Sequence, residues 1–315
     1  MLSNINALSK VKQYFALFYY FLLVFFANSC GNKTPQSADN QLNIVCTTGM
    51  IADVVQNIGQ EKVKVTALMG AGVDPHLYKA TTKDLALLRA ADIVFYNGLH
   101  LEGKMAEVLE KFSSQKSVWP VAEAINQTKL QKVGNNTYDP HIWFDVALWA
   151  ETVNYITQKL KAKDPENAEF YAKNAEVYHN QLIQLDQKVK NEIASIPQNQ
   201  RVLITAHDAF GYFGKAYQIE VKGLQGISTV AEFGLKDVTE LVNFIVKRKI
   251  KAVFVETSIP PKNLEAVVEG CKQKGHSVNI GGTLFSDAMG AKGTPEGTYI
   301  GMVGKNADTI VKALK

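Results

Sequence analysis

The stretch "DPENAEFYAKNAEVYHNQLIQLDQKVKNEIASIP", residues 164–197, constrains the fold more than any other part of the chain. It contains no glycine, and after Pro165 no proline before Pro197. Its apolar positions Tyr171, Ala175, Tyr178, Leu182, Leu185, Val189 and Ile193 advance by three or four, which puts one continuous stripe on a single helical face. With Asp164 as N-cap, Pro165 at the first helical position and Ile196-Pro197 closing the segment, the pattern predicts one helix of about 30 residues, roughly 45 Å long. A flexible linker is rich in Gly, Ser and Pro. This segment is the opposite, so it is expected to join two bodies stiffly and to bury its stripe against both.

The sequence on either side alternates short apolar runs with amphipathic stretches, the pattern of parallel sheets with helices on their faces. Strands are predicted at 43–47, 63–68, 93–96 and 117–119 in the first half, and at 202–205, 220–222, 252–256 and 277–280 in the second. Helices are predicted at 51–58, 82–89, 104–111 and 146–161, then at 209–217, 238–247, 261–274 and 298–314. The expected fold class is α/β: two lobes, each with a four-stranded, mainly parallel sheet flanked by helices, joined by one long rigid helix. The corresponding limits are 43–162 for the first lobe, 163–197 for the linker helix and 198–315 for the second lobe.

Ahead of these lobes the chain changes character. Lys10 and Lys12 precede an uncharged aromatic and aliphatic run from Tyr14 to Ala27, about 14 residues, shorter than the ~20 needed to span a bilayer as a helix and typical of a signal-peptide core. The run ends at "ANSCGNK", and Cys30 is followed by a polar stretch. This resembles a bacterial lipoprotein signal, which implies a signal peptide at 1–29, acylation of Cys30 and a polar tether at 30–42. Such boxes usually carry Leu three residues before the cysteine and a small residue two before it; here those places hold Ala27 and Asn28. The folded part is expected outside the cytoplasm, held to a membrane through its lipid.

Two units of the formal net charge of +4 belong to Lys10 and Lys12, so the mature chain is nearly balanced. No basic stripe interleaved with aromatics occurs, and no nucleic-acid partner is expected. Of the three cysteines only Cys46 and Cys271 fall in the lobes, within strand-like and helix-like segments, where small buried apolar residues are the expected role.

Open parallel sheets bind ligands beyond the carboxyl ends of their strands. His76 in "LMGAGVDPHLY", His141 in "NNTYDPHIWFD", His207 in "TAHDAFGYF" and Asp287 in "GGTLFSDAMG" all fall in loops near strand or helix ends, two in each half. Neutral imidazoles and a carboxylate are ligands for divalent first-row metals; four can close a site on Zn²⁺, and a bidentate carboxylate would also suit Mn²⁺ or Fe²⁺. A lone histidine at a strand end is more often a surface or hydrogen-bonded residue than a ligand. The repeated Asp-Pro-His adds weight, because Pro75 and Pro140 stiffen the chain before each histidine. His100, His179 and His276 have no such setting.

These segments, together with "VFVETSIPPKNLEAV" and "GTYIGMV", resemble the zinc and manganese solute-binding proteins of bacterial ABC importers, in particular their TroA-like members. The resemblance runs from about Asn43 to the C-terminus. It implies a metal held between two α/β lobes, with His76, His141, His207 and Asp287 as ligands, one divalent ion as cargo, a transmembrane permease as partner and a monomeric chain. It also implies zinc with manganese as an alternative: manganese members commonly carry glutamate where His207 stands, and the His-rich insertion of many zinc members is missing from "AINQTKLQKVGNNTYD".

Around the ligands, Glu256, Asp208 and Asp145 are the candidate acceptors for imidazole N–H groups, with helix capping the competing role for the two aspartates. Two rival functions are a secreted zinc hydrolase, which needs an open metal position for water, and a metal-stabilised surface adhesin. The expected protein is not an enzyme.

Overall fold

The computed structural model describes residues 41–134 and 137–315; Cys30, with the expected signal and most of the tether, lies outside them. In the first lobe β1 (Leu42–Cys46), β2 (Val63–Ala67), β3 (Ile93–Tyr96) and β4 (Val118–Pro120) form a sheet in the order 2-1-3-4, with every pair parallel. Helices α1 (Gly49–Gly59), α2 (Thr82–Ala90) and α3 (Ala106–Ser113) connect them. The second lobe repeats the arrangement with β5 (Val202–His207), β6 (Glu220–Gln225), β7 (Ala252–Glu256) and β8 (Asn279–Leu284), order 6-5-7-8, again all parallel. Between the sheets run α4 (Val146–Lys163) and α5 (Ala168–Ala194); the second lobe adds α6 (Gly211–Tyr217), α7 (Leu235–Arg248), α8 (Lys262–Gln273) and α9 (Tyr299–Leu314).

Helix α5 is the predicted connection, 27 residues long, and all seven stripe residues from Tyr171 to Ile193 are buried. They belong to one apolar core that also takes Ile44, Val54 and Trp149 from the first half and Leu203, Phe254 and Met302 from the second. Each sheet buries its other face separately, as alternation along a strand requires: Val45 and Val94 pack under α2 and α3, and Ile204 and Val253 under α7 and α8. The lobes are therefore not separate cores on a tether. They share one interior, built along the helix.

Local details differ from expectation. The first turn after Asp164 is a 3-10 turn, Pro165–Asn167, and the α-helix starts at Ala168. The Asp164 carboxylate, instead of capping a main-chain N–H, accepts from Asn167 Nδ2 at 2.8 Å and from the Tyr171 hydroxyl at 2.6 Å. Strand β8 runs to Leu284 rather than ending at 280, through the pair Gly281-Gly282 that reads as a break in the sequence. A Cβ on Gly281 would lie 2.7 Å from that of Ala313 on α9, and Gly282 sits at φ 152°, so glycine is what lets this edge strand continue under the helix. Strand β6 likewise extends past the predicted end, because Gly223 permits its approach to the His207-Asp208 main chain; a Cβ there would meet Asp208 N at 2.5 Å.

Candidate metal centre

The carboxyl ends of both sheets face the seam between the lobes, and the chain leaves β2, β4, β5 and β8 there. The two Asp-Pro-His segments fold into the same turn. Asp74 Oδ1 accepts the His76 N–H at 2.8 Å, and Asp139 Oδ1 accepts the His141 N–H at 2.9 Å. An aspartate two residues before a main-chain donor makes this turn locally, and the intervening proline restricts the chain to it. His207 ends β5, where its main-chain N–H donates to Glu256 Oε1 at 2.8 Å. Asp287 follows β8, its loop held by Trp143 Nε1 donating to Ser286 O at 3.0 Å.

These four side chains converge. His76 Nε2 lies 3.3 Å from His141 Nε2 and 3.6 Å from Asp287 Oδ2; His141 Nε2 is 3.4 Å from Asp287 Oδ1, and His207 Nε2 is 3.2 Å from Asp287 Oδ2. One donor atom from each lies within 4.8 Å of all the others, and none of the residues is more than 2% exposed. Ligands about 2.1 Å from a tetrahedral ion stand about 3.4 Å apart, the spacing of these approaches. The two carboxylate oxygens serve different neighbours, which also permits bidentate binding.

The hydrogen bonding of the centre is incomplete in a telling way. His207 Nε2 and both oxygens of Asp287 are buried without a hydrogen-bond partner, the 3.2 Å approach between them lacking hydrogen-bond alignment. Buried polar atoms are rarely left so, and a divalent cation among these four donor atoms would satisfy them. Outside the centre, His141 Nδ1 lies 2.7 Å from Asp139 Oδ1 and His207 Nδ1 2.5 Å from Glu256 Oε2. Each carboxylate fixes its ring so that Nε2 faces the others. His76 Nδ1 has no such partner.

Electrostatics follow from burial and the carboxylates. Desolvation, reinforced by the other two imidazoles, drives the His76 pKa down to about 4 in spite of Asp287. For His207 burial works the same way but loses to Glu256 and Asp287, which raise the pKa well above the ordinary value. Burial would raise Asp287, yet the imidazoles, His207 foremost, hold its carboxyl well below the usual carboxylate range.

Of the three expected supporting carboxylates, only Glu256 touches the ring of a candidate ligand, His207. Asp145 is a helix cap, accepting from Leu148 N at 3.0 Å at the start of α4. Asp208 donates its main-chain N–H to Gln225 O, and among the described residues its carboxylate bonds none of the three histidines. Asp139, which braces His141, was not among the expected carboxylates, although its place in the Asp-Pro-His repeat, two residues before the histidine, was the signal for it. His100 is exposed at φ 65°, His179 is half-buried on α5, and His276 Nε2 bonds Ile250 O at 2.7 Å.

Two α/β lobes sharing a spinal helix, with a buried four-donor set across their seam, define a metal-binding protein of the two-lobed solute-binding class. The family described as the periplasmic component A of the zinc-uptake complex matches residues 44–313, and the chain belongs to it. It is 53% identical over 293 residues to the manganese-binding lipoprotein MntA of Bacillus subtilis (strain 168), covering 92% of this chain and 96% of that one. It is 48% identical over 293 residues to the zinc-binding protein TroA of Treponema pallidum (strain Nichols), covering 93% and 95%. The solved structure of the periplasmic zinc-binding protein TroA from Treponema pallidum superposes with a TM-score of 0.86 at 49% identity, over 87% of this chain and 99% of that one.

Proposed function

We propose that this chain captures one divalent transition-metal ion outside the cytoplasm and delivers it to the permease of an ABC importer. The ion is cargo, Zn²⁺ or Mn²⁺, with Fe²⁺ the next candidate. His76, His141, His207 and Asp287 are its ligands, residues 43–162 and 198–315 the lobes that supply them, and a lipid on Cys30 the anchor. The observation that carries this reading is the convergence of four buried donors, two from each side of the seam, with Asp139 and Glu256 behind two of the rings. Its support from kinship is that relatives at about half identity are named for manganese in one case and zinc in the other.

The chemistry suits reversible capture. Three neutral imidazoles and one carboxylate leave a bound divalent ion with a charge of about +1, so inner-sphere bonds must offset its desolvation. Asp139 and Glu256 make two of the imidazoles better donors. Zinc outranks manganese at almost any such nitrogen-containing site, so the physiological metal depends on supply as much as on affinity. A fourth protein ligand at Asp287 leaves no position for a metal-bound water, which argues against a hydrolase.

Metal analysis of the protein purified from its own host tests the reading. One zinc or manganese per chain is expected, with its loss in His207→Ala; a metal-free protein, or a variant that keeps its metal, overturns it.

A further inference from the structure

The loop between β6 and α7, within the segment "GLQGISTVAEFGL", supplies none of the four donors, yet it reaches the His76 loop. Thr229 Oγ1 donates to Asp74 Oδ2 at 2.6 Å across the seam. The other oxygen of the same carboxylate, Oδ1, accepts the His76 main-chain N–H. Among the described residues, this is the one hydrogen bond joining residues 70–78 to the second lobe. Thr229 is itself pinned from behind: Gln225 Nε2 donates to Thr229 O at 2.8 Å and to Ala231 O at 2.6 Å. Gln225 closes β6 directly opposite His207 on β5. An unbroken line of pairing and hydrogen bonds therefore runs from His207 through Gln225, Thr229 and Asp74 to His76.

Two features make the Thr229 contact matter more than one hydrogen bond usually does. His141 and His207 are each braced at Nδ1 by a buried carboxylate, whereas His76 has none, so the aim of its ring depends on where its loop stands. The contact also lies at the rim of the seam, beside an open concavity of about 510 Å³ lined by Asp74, Leu77, Thr229, Phe233 and Pro260. Elsewhere the lobes are fastened by buried contacts, with Tyr299 OH donating to Trp143 O at 2.7 Å and Tyr212 OH to Asp139 O at 3.1 Å. The Thr229–Asp74 contact, by contrast, is only part-buried.

We propose that Thr229 is a positioning residue: its hydroxyl latches the His76 loop to the second lobe through Asp74, and opening of this latch is the step that frees the ion. The inference rests on the proposed metal-capture function and assigns it the ligand that lets go first, His76. A hydrogen bond to a charged acceptor is worth enough that its loss should speed release about tenfold.

The test uses the full chain loaded with Zn²⁺ and mixed rapidly with excess EDTA, comparing wild type with Thr229→Val, Thr229→Ala and Thr229→Ser. The first two should release zinc about tenfold faster and Thr229→Ser at nearly the wild-type rate, with the thermal midpoint of the metal-free proteins lowered by only about a few degrees. Wild-type release rates in the valine and alanine variants overturn the latch, as does a serine variant as fast as the valine one. A wild-type chain that binds no zinc overturns the functional reading instead, and the inference with it.

Discussion

Glu256 holds His207 twice. One carboxylate oxygen accepts the residue's main-chain N–H at 2.8 Å, and the other lies 2.5 Å from Nδ1 of its ring, so the end of β7 sets both the position and the tautomer of a donor on β5.

Glu256→Gln should therefore cost more than a lost charge suggests. An amide N–H facing Nδ1 forces that nitrogen to accept, moves the imidazole proton to Nε2 and blocks coordination. We expect metal affinity to fall about 10–100-fold with the fold intact, as for other residues that orient a metal ligand. Competition titration against a chelator of known affinity measures it; an affinity equal to wild type contradicts the role.

Metal binding should release a proton near neutrality. Glu256 and Asp287 raise the pKa of His207 well above its ordinary value against the penalty of burial, which favours the protonated ring in the metal-free protein. The ion needs Nε2 bare, and affinity should fall steadily as pH drops below that raised value. His76, with its pKa near 4, has no proton to give at pH 7. Calorimetry in two buffers of different ionisation enthalpy should show about one proton released per ion; no buffer dependence contradicts the assignment. For stability of the metal-free chain the sign is reversed. The folded pKa of His207 lies above its unfolded value, so its contribution is full below about pH 6.5 and is lost as pH rises through the raised pKa.

Removing the metal should lower stability without unfolding the protein. The shared core buries Trp149, Leu182 and Phe254 independently of the centre. Free metal at about a thousand times Kd adds about 4 kcal/mol, or roughly 10 °C in thermal midpoint for a chain of this size. Circular dichroism before and after chelation decides it. Loss of helical signal at room temperature would instead favour a structural metal.

Leu182→Ala should weaken both lobes together. Leu182 is fully buried at the middle of α5, in the core that both lobes share. Such truncations cost about 2–5 kcal/mol. Urea denaturation is expected to keep a single transition at a lower midpoint; two separated transitions would show that the lobes unfold independently.

Much of the architecture was legible because its signals are local. The stripe on α5 and the alternation of strands and helices each lie within a window of a few turns, and the predicted elements correspond to observed ones. The misses have local causes of another kind. Gly281-Gly282 reads as a break but serves close packing against Ala313, and Pro165 opens a 3-10 turn where an α-helical start was expected. Among the carboxylates near the site, Glu256, Asp208 and Asp145 were indistinguishable, since a strand-end acid looks the same whether it meets an imidazole or water.

By itself, the sequence determined the turn that presents each Asp-Pro-His histidine, because donor and acceptor are two residues apart, and it marked which loops carry donors. Only tertiary structure decided that His76 and His141, 65 positions apart, would meet, that Glu256 would find His207 across 49 residues, and that Thr229 would reach Asp74 across 155. Periodicity encodes which face of an element is buried. It carries no information about which loop ends up opposite which, and that follows from two sheets packed on one helix with their carboxyl ends turned to the same seam.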